Sequence, residues 1–174
     1  YHNLYSVSRQ YTQDKIQEAS VNGFVEVAFG LRIRTPMIAQ SILGNSRTPT
    51  EVSAEARTIG NALSQSYGLL NTRAASEFME KVRKSIYRLD IRPVAHIHDA
   101  QYYLVRDDID VIMYVNEHLV KAVQLQDDPA IYHPDIKIGG NLSIFYPSWN
   151  QEIEIPNNAS REEIISLCNK HSKI

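Results

Sequence analysis

The feature that most constrains this chain is the run Arg92-Pro93-Val94-Ala95-His96-Ile97, then His98-Asp99, then Ala100-Gln101-Tyr102-Tyr103-Leu104-Val105. Two β-rich arms joined by a short polar pair predict an antiparallel hairpin with His98 and Asp99 projecting from its turn. Arg106-Asp107-Asp108 ends the second arm, and Asp107 or Asp108 can cap a helix running to about Leu125.

Around this hairpin the chain alternates between two periodicities. Residues Ser6 to Val21 read as a helix, stopped by Asn22-Gly23, where a residue tolerant of positive φ stands. Phe24 to Phe29 predicts a strand, and Gly30 turns it into Leu31 to Arg34. Alternation in this second arm sets Arg32 and Arg34 on one face, with Leu31 and Ile33 on the other. Pro36 to Pro49 reads as an extended connection. A helix starting near Thr50 or Ser53 passes Arg57 and Asn61 toward Gln65. A further helical stretch carries Leu70, Phe78, Val82 and Ile86 as a core stripe. Whether these are one helix or two, broken near Tyr67-Gly68, is open at this level. Lys137 to Trp149 predicts another strand, with Gly139-Gly140 as a bulge or close approach. A short amphipathic helix follows from about Ser160 to Asn169. The order α, β-hairpin, α, β-hairpin, α, β, α places the fold in the α+β class.

A length of 174 residues with 43% hydrophobic content permits a sizeable core. No apolar run approaches the roughly 18 residues of a membrane span, so no membrane partner is expected. Cys168 is the sole cysteine, which excludes an internal disulfide and fits a reducing compartment. The net charge of −2 is unevenly distributed: residues 1–92 hold 12 basic against 8 acidic side chains, and residues 93–174 hold 6 against 12. A basic half can attract phosphate and an acidic half divalent metal; an unevenly charged solvated surface has the same counts. The chain opens on Tyr1, as a fragment, a processed product or a sequence with an omitted start would.

Two groups of residues carry chemistry. Arg57, Asn61 and Gln65, spaced i, i+4 and i+8, stack along one helix face. A guanidinium suits phosphate, and amides suit the minor-groove acceptors that every base pair presents; a solvated polar face has the same spacing. Asp99 on a rigid hairpin is a good oxygen ligand for magnesium, although a hydrogen-bonded turn pair looks the same in sequence. Two-metal phosphoryl transfer requires at least one more carboxylate nearby.

Taken together, these segments resemble the C-terminal part of the family A DNA polymerases, bacterial polymerase I and its phage relatives. Val94 to Asp99 resembles the family's third palm motif, an apolar strand ending in His-Asp. Arg57 to Gln65 resembles its helix with Arg, Asn and Gln at these intervals. Gly30-Leu31-Arg32-Ile33-Arg34-Thr35-Pro36 is similar to its Gly-Arg-Arg hairpin ending in proline, and Gly140 and Trp149 fit its last strand. The resemblance runs from Gly23 to Trp149. It implies fingers residues with a β-hairpin over 1–50, a palm segment over 51–149 and a C-terminal extension over 150–174.

By that resemblance Asp99 ligates the catalytic magnesium ions, two of them, shared with carboxylates outside this chain. His98 then contacts the primer strand near its 3′ end, Arg57 touches backbone phosphate, Asn61 and Gln65 contact the minor groove, and Arg32 contacts the template. The implied partners are primer–template DNA, deoxynucleoside triphosphates and a remaining polymerase segment or subunit. The implied location is the cytoplasm, that of the bacterial host for a phage-encoded enzyme.

Three positions depart from the family pattern: Ala100 follows His-Asp where Glu is usual, Ser66-Tyr67-Gly68 follows Gln65, and His96 stands where Gln is common. The family's first palm motif and its nucleotide-binding helix are not found in residues 1–174, so the chain alone is expected to be incompetent for synthesis. A single-subunit RNA polymerase fragment, whose third motif also contains His-Asp, and a non-catalytic DNA-binding module retaining the palm surface are the alternatives.

Overall fold

A computed structural model describes residues 5–39, 50–124, 129, 132–136 and 138–171, with side chains at all of these except 51, 63–65 and 67. Residues 40–49, Leu125 and Lys137, for which the sequence predicts a connection, a helix end and a strand start, lie outside that set. The fold is mixed α+β, with small antiparallel two-stranded sheets and, among the described residues, six α-helices. Contacts divide the chain into two compact units, one of residues 1–69 with 128–131, the other of residues 70–127 with 132–174.

In the first unit, helix α1 (Ser6–Asn22) ends as its sequence predicts. Gly23 adopts φ 73° and its N–H returns to the Ala19 carbonyl. Strands β1 (Phe24–Glu26) and β2 (Arg32–Arg34) pair antiparallel, Val25 opposite Ile33. The first strand is shorter than expected: Ala28 to Gly30 form a 3-10 turn, with Phe29 at φ 61° and Gly30 at φ 71°. The reason is tertiary. The Ala28 N–H donates to the buried Ser66 hydroxyl at 3.1 Å, which diverts the backbone from the ladder.

Pro36 to Ala39 is helix α2 (Pro36–Ala39) rather than extended chain. Pro36 occupies the first helical position, where a missing N–H costs nothing. The N–H groups of Met37 and Ile38 donate to the Glu55 carboxylate at 3.1 and 2.9 Å. Glu55 belongs to helix α3 (Thr50–Gly60), so a distant side chain satisfies the open end of α2. Ala19, Val25, Ile38, Val52, Ile59 and Ala62 form the core of this unit.

Helix α4 (Ala62–Lys84) follows α3 after the single residue Asn61, and Tyr67-Gly68 lies inside it. Leu70, Phe78 and Val82 are buried as the stripe predicts, but Ile86 is 82% exposed. The four-residue phase holds only while the backbone is helical, and α4 ends at Lys84.

The second unit contains the predicted hairpin. Strands β3 (Ile91–Ile97) and β4 (Ala100–Val105) pair with Ile97 opposite Ala100 and Ile91 opposite Val105, the register shifting between Pro93 and Ala95. Helix α5 (Ile109–Val123) starts on Asp108, whose carboxylate accepts the Asp110 N–H at 2.9 Å. That bond, followed by the Arg106 guanidinium, holds the Asp108 carboxyl below its ordinary range. Phe78, Val82, Ile91, Val111 and Val115 are buried together.

The last predicted strand is shorter than expected. Only β5 (Leu142–Phe145) is extended, and Gly139 and Gly140 precede it without forming a bulge. Gly140 does pass close to α5: a Cβ there would sit 3.5 Å from the Val123 side chain. Its partner is an unpredicted strand, β6 (Glu152–Ile155), with Ile144 opposite Ile153. Helix α6 (Arg161–His171) opens on a reciprocal cap, the Ser160 N–H donating to Glu163 and the Glu163 N–H donating to the Ser160 hydroxyl. Buried Ile153, Ile155 and Ile164 make residues 150–171 part of the packed unit.

Candidate functional site

The β3–β4 register leaves His98 and Asp99 as the two residues of the hairpin turn. His98 takes φ 54°. Tight hairpin turns need positive φ to match strand twist, and His is among the few side chains enriched there. A residue held in this region costs about 1–3 kcal/mol, sustained only where its surroundings fix it. Both turn residues are exposed, and the Asp99 carboxylate has no hydrogen-bond partner among the described residues.

What fixes the turn is a polar network that sequence reading missed. Asn71, on α4, donates one amide proton to the Asp99 carbonyl at 2.8 Å and directs the other toward His96 Nε2 at 3.0 Å. Because the amide nitrogen only donates, His96 Nε2 is the acceptor in this pair. Gln101 Nε2 donates to the Asn71 side-chain oxygen and main-chain carbonyl, each at 2.5 Å. Tyr103 closes the set, its hydroxyl donating to Gln101 Oε1 at 2.7 Å. Burial pushes the Tyr103 hydroxyl up to about 12, so it remains a donor well into the alkaline range. The cross-strand pair His96–Gln101 thus faces Asn71. Nothing in the local sequence around Asn71 signals a partner 25 to 30 positions away.

The other predicted site residues belong to the first unit. Arg57 is exposed on the last turn of α3. Asn61 is exposed between α3 and α4, its N–H bonded to the carbonyls of Arg57 and Thr58 at 3.1 Å each. The backbone is helical at Gln65, whose side chain lies outside the description. Arg32 is engaged by its neighbours: its guanidinium bonds Glu26 at 2.9 Å and lies 4.7 Å from the centre of the Phe24 ring.

A free carboxylate on an ordered turn is chemically suited to a hard cation. Asp99 provides one such ligand, and among the described residues no group of three or more His, Cys, Asp or Glu side chains could complete a metal site. Among the described residues no helix is long and apolar enough to cross a membrane. Comparison with protein-family models, curated proteins and solved structures returns no match.

Proposed function

We propose that this chain is the C-terminal part of a DNA-directed DNA polymerase of the family A type, contributing Asp99 to template-directed nucleotidyl transfer. The observation that carries this reading is the two-residue turn presenting His98 and an Asp99 carboxylate that has no hydrogen-bond partner among the described residues, at the tip of the hairpin. The sequence resemblance expects a His-Asp pair at that place. Arg57, exposed on the last turn of α3, and Asn61, exposed between α3 and α4, are available for duplex DNA as the same reading requires.

Asp99 would hold magnesium together with carboxylates supplied from outside this chain. Magnesium, when bound, neutralises charge on the transferring phosphoryl group. The part played by the chain itself is to keep one oxygen ligand at a fixed place beside the primer terminus. His98 would meet the primer strand from the same turn. The minor groove offers acceptors common to all base pairs, so contacts from Asn61 and Gln65 would be tolerant of sequence.

The test is Asp99→Asn in the assembled polymerase. The amide keeps the size of the side chain and removes its charge. Single-turnover incorporation should fall by about a thousandfold, since loss of metal-based charge stabilisation is worth several kcal/mol and each 1.4 kcal/mol is about tenfold. DNA affinity on the same preparation should hold. Incorporation within about tenfold of the parent would remove Asp99 from the mechanism.

A further inference from the structure

The best-ordered chemistry near the turn is not Asp99 itself but the amide that grips the strands beneath it. Asn71 engages both ends of its side-chain amide there. Both N–H bonds of its side chain are spent, one on the carbonyl of Asp99 and one on the ring of His96, at 2.8 and 3.0 Å. Its carbonyl oxygen is occupied by Gln101. A single residue of α4 therefore holds three positions of the hairpin: 96 on one arm, 99 in the turn and 101 on the other arm.

The bond to the Asp99 carbonyl has a directional consequence. That carbonyl lies in one rigid plane with the Ala100 N–H, so fixing it fixes the rotation of Asp99 about its own backbone. The Cα–Cβ bond from which the Asp99 carboxylate hangs takes its direction from the same rotation. The positive φ of His98, on the other side of Asp99, gains an anchor from the same contact. We propose that Asn71 is a positioning residue: it orients the Asp99 carboxylate through the main chain, and couples that orientation to the seat of β3–β4 on α4. That the oriented group is a metal ligand rests on the polymerase reading; the anchoring does not.

Two arms separate these claims. In the isotopically labelled 174-residue chain, Asn71→Leu keeps the branched shape of the side chain and removes the amide. Hydrogen exchange at the Ala100 and Gln101 amides should rise about tenfold, the scale of one or two lost hydrogen bonds. The core amides of Phe78, Val82 and Val111 should stay within about twofold. Asn71→Gln retains the donor on a longer arm and should restore part of the turn protection. The His96 Nε2 nitrogen resonance should shift in the Leu variant and move back toward the parent in the Gln variant. Unchanged exchange at the turn overturns the proposal, as does an equal loss of protection through the core.

In the assembled polymerase Asn71→Leu should lower kcat about tenfold while nucleotide KM and DNA affinity stay within about twofold, the pattern of an interaction felt in the transition state. A raised KM with unchanged kcat overturns the positioning role. Should Asp99→Asn leave synthesis intact while Asn71→Leu still loosens the turn, the polymerase reading fails and the anchor stands.

Discussion

The Phe78 ring meets the Tyr103 ring edge to face, with centroids 5.4 Å apart and planes at 84°. Phe78 is fully buried on α4 and Tyr103 stands on β4, so this contact seats the hairpin on the helix from below. Farther along the same strand, Gln101 and Asn71 make the polar counterpart of that seat. The turn at His98-Asp99 is thus supported by an apolar contact and a hydrogen-bonded one in series.

Phe78→Ala should cost about 3–5 kcal/mol, the range for a large aromatic removed from a core. Denaturant unfolding of the chain measures it. The loss of the edge-to-face pair should also raise amide exchange along β4 more than in α1, which lies in the other unit.

The Tyr103 hydroxyl gives the chain an alkaline limit. Its folded pKa of about 12 lies above the ordinary 10.0 because burial disfavours the phenolate. The group therefore contributes stability that is full below pH 10 and lost as the pH rises through about 12. The unfolding midpoint should fall over that window, and Tyr103→Phe should fall less steeply there. Equal slopes for the two proteins would exclude this source.

Asn116→Ala tests a link between α5 and the segment before α6. Asn116 is 4% exposed, and its amide donates to the Pro156 carbonyl at 3.0 Å. Its own side-chain oxygen has no partner among the described residues. Removing the donor leaves a carbonyl short of its bond, so a loss of about 1–2 kcal/mol is expected by denaturant unfolding.

Arg57→Ala should leave stability within about 0.5 kcal/mol, since Arg57 is an exposed surface residue. In the assembled polymerase it should weaken primer–template binding alike on all sequences. The slope of log affinity against log salt should decrease by about 1, as one phosphate contact is lost. An unchanged slope would make this end of α3 an ordinary solvated surface.

Sequence by itself determined the elements whose cause lies within a few residues of them. Gly23 ends α1 because glycine accepts φ 73° without a side-chain clash. Asp108 opens α5 because its carboxylate reaches an amide two residues on. The β3–β4 hairpin follows from two β-rich runs around a two-residue polar pair, which also puts His98 and Asp99 in the turn. Tertiary structure decided what depends on a distant partner. Glu55 makes Pro36 to Ala39 helical, and Ser66 diverts the backbone at Ala28. Residues Glu152 to Ile155 alternate in sequence, but they form a strand because β5 supplies the ladder. Asn71 is one more polar residue on a helix until folding brings the Asp99 carbonyl within 2.8 Å. A hydrogen bond across 28 positions leaves no periodicity along the chain; only the packed structure brings its two ends together.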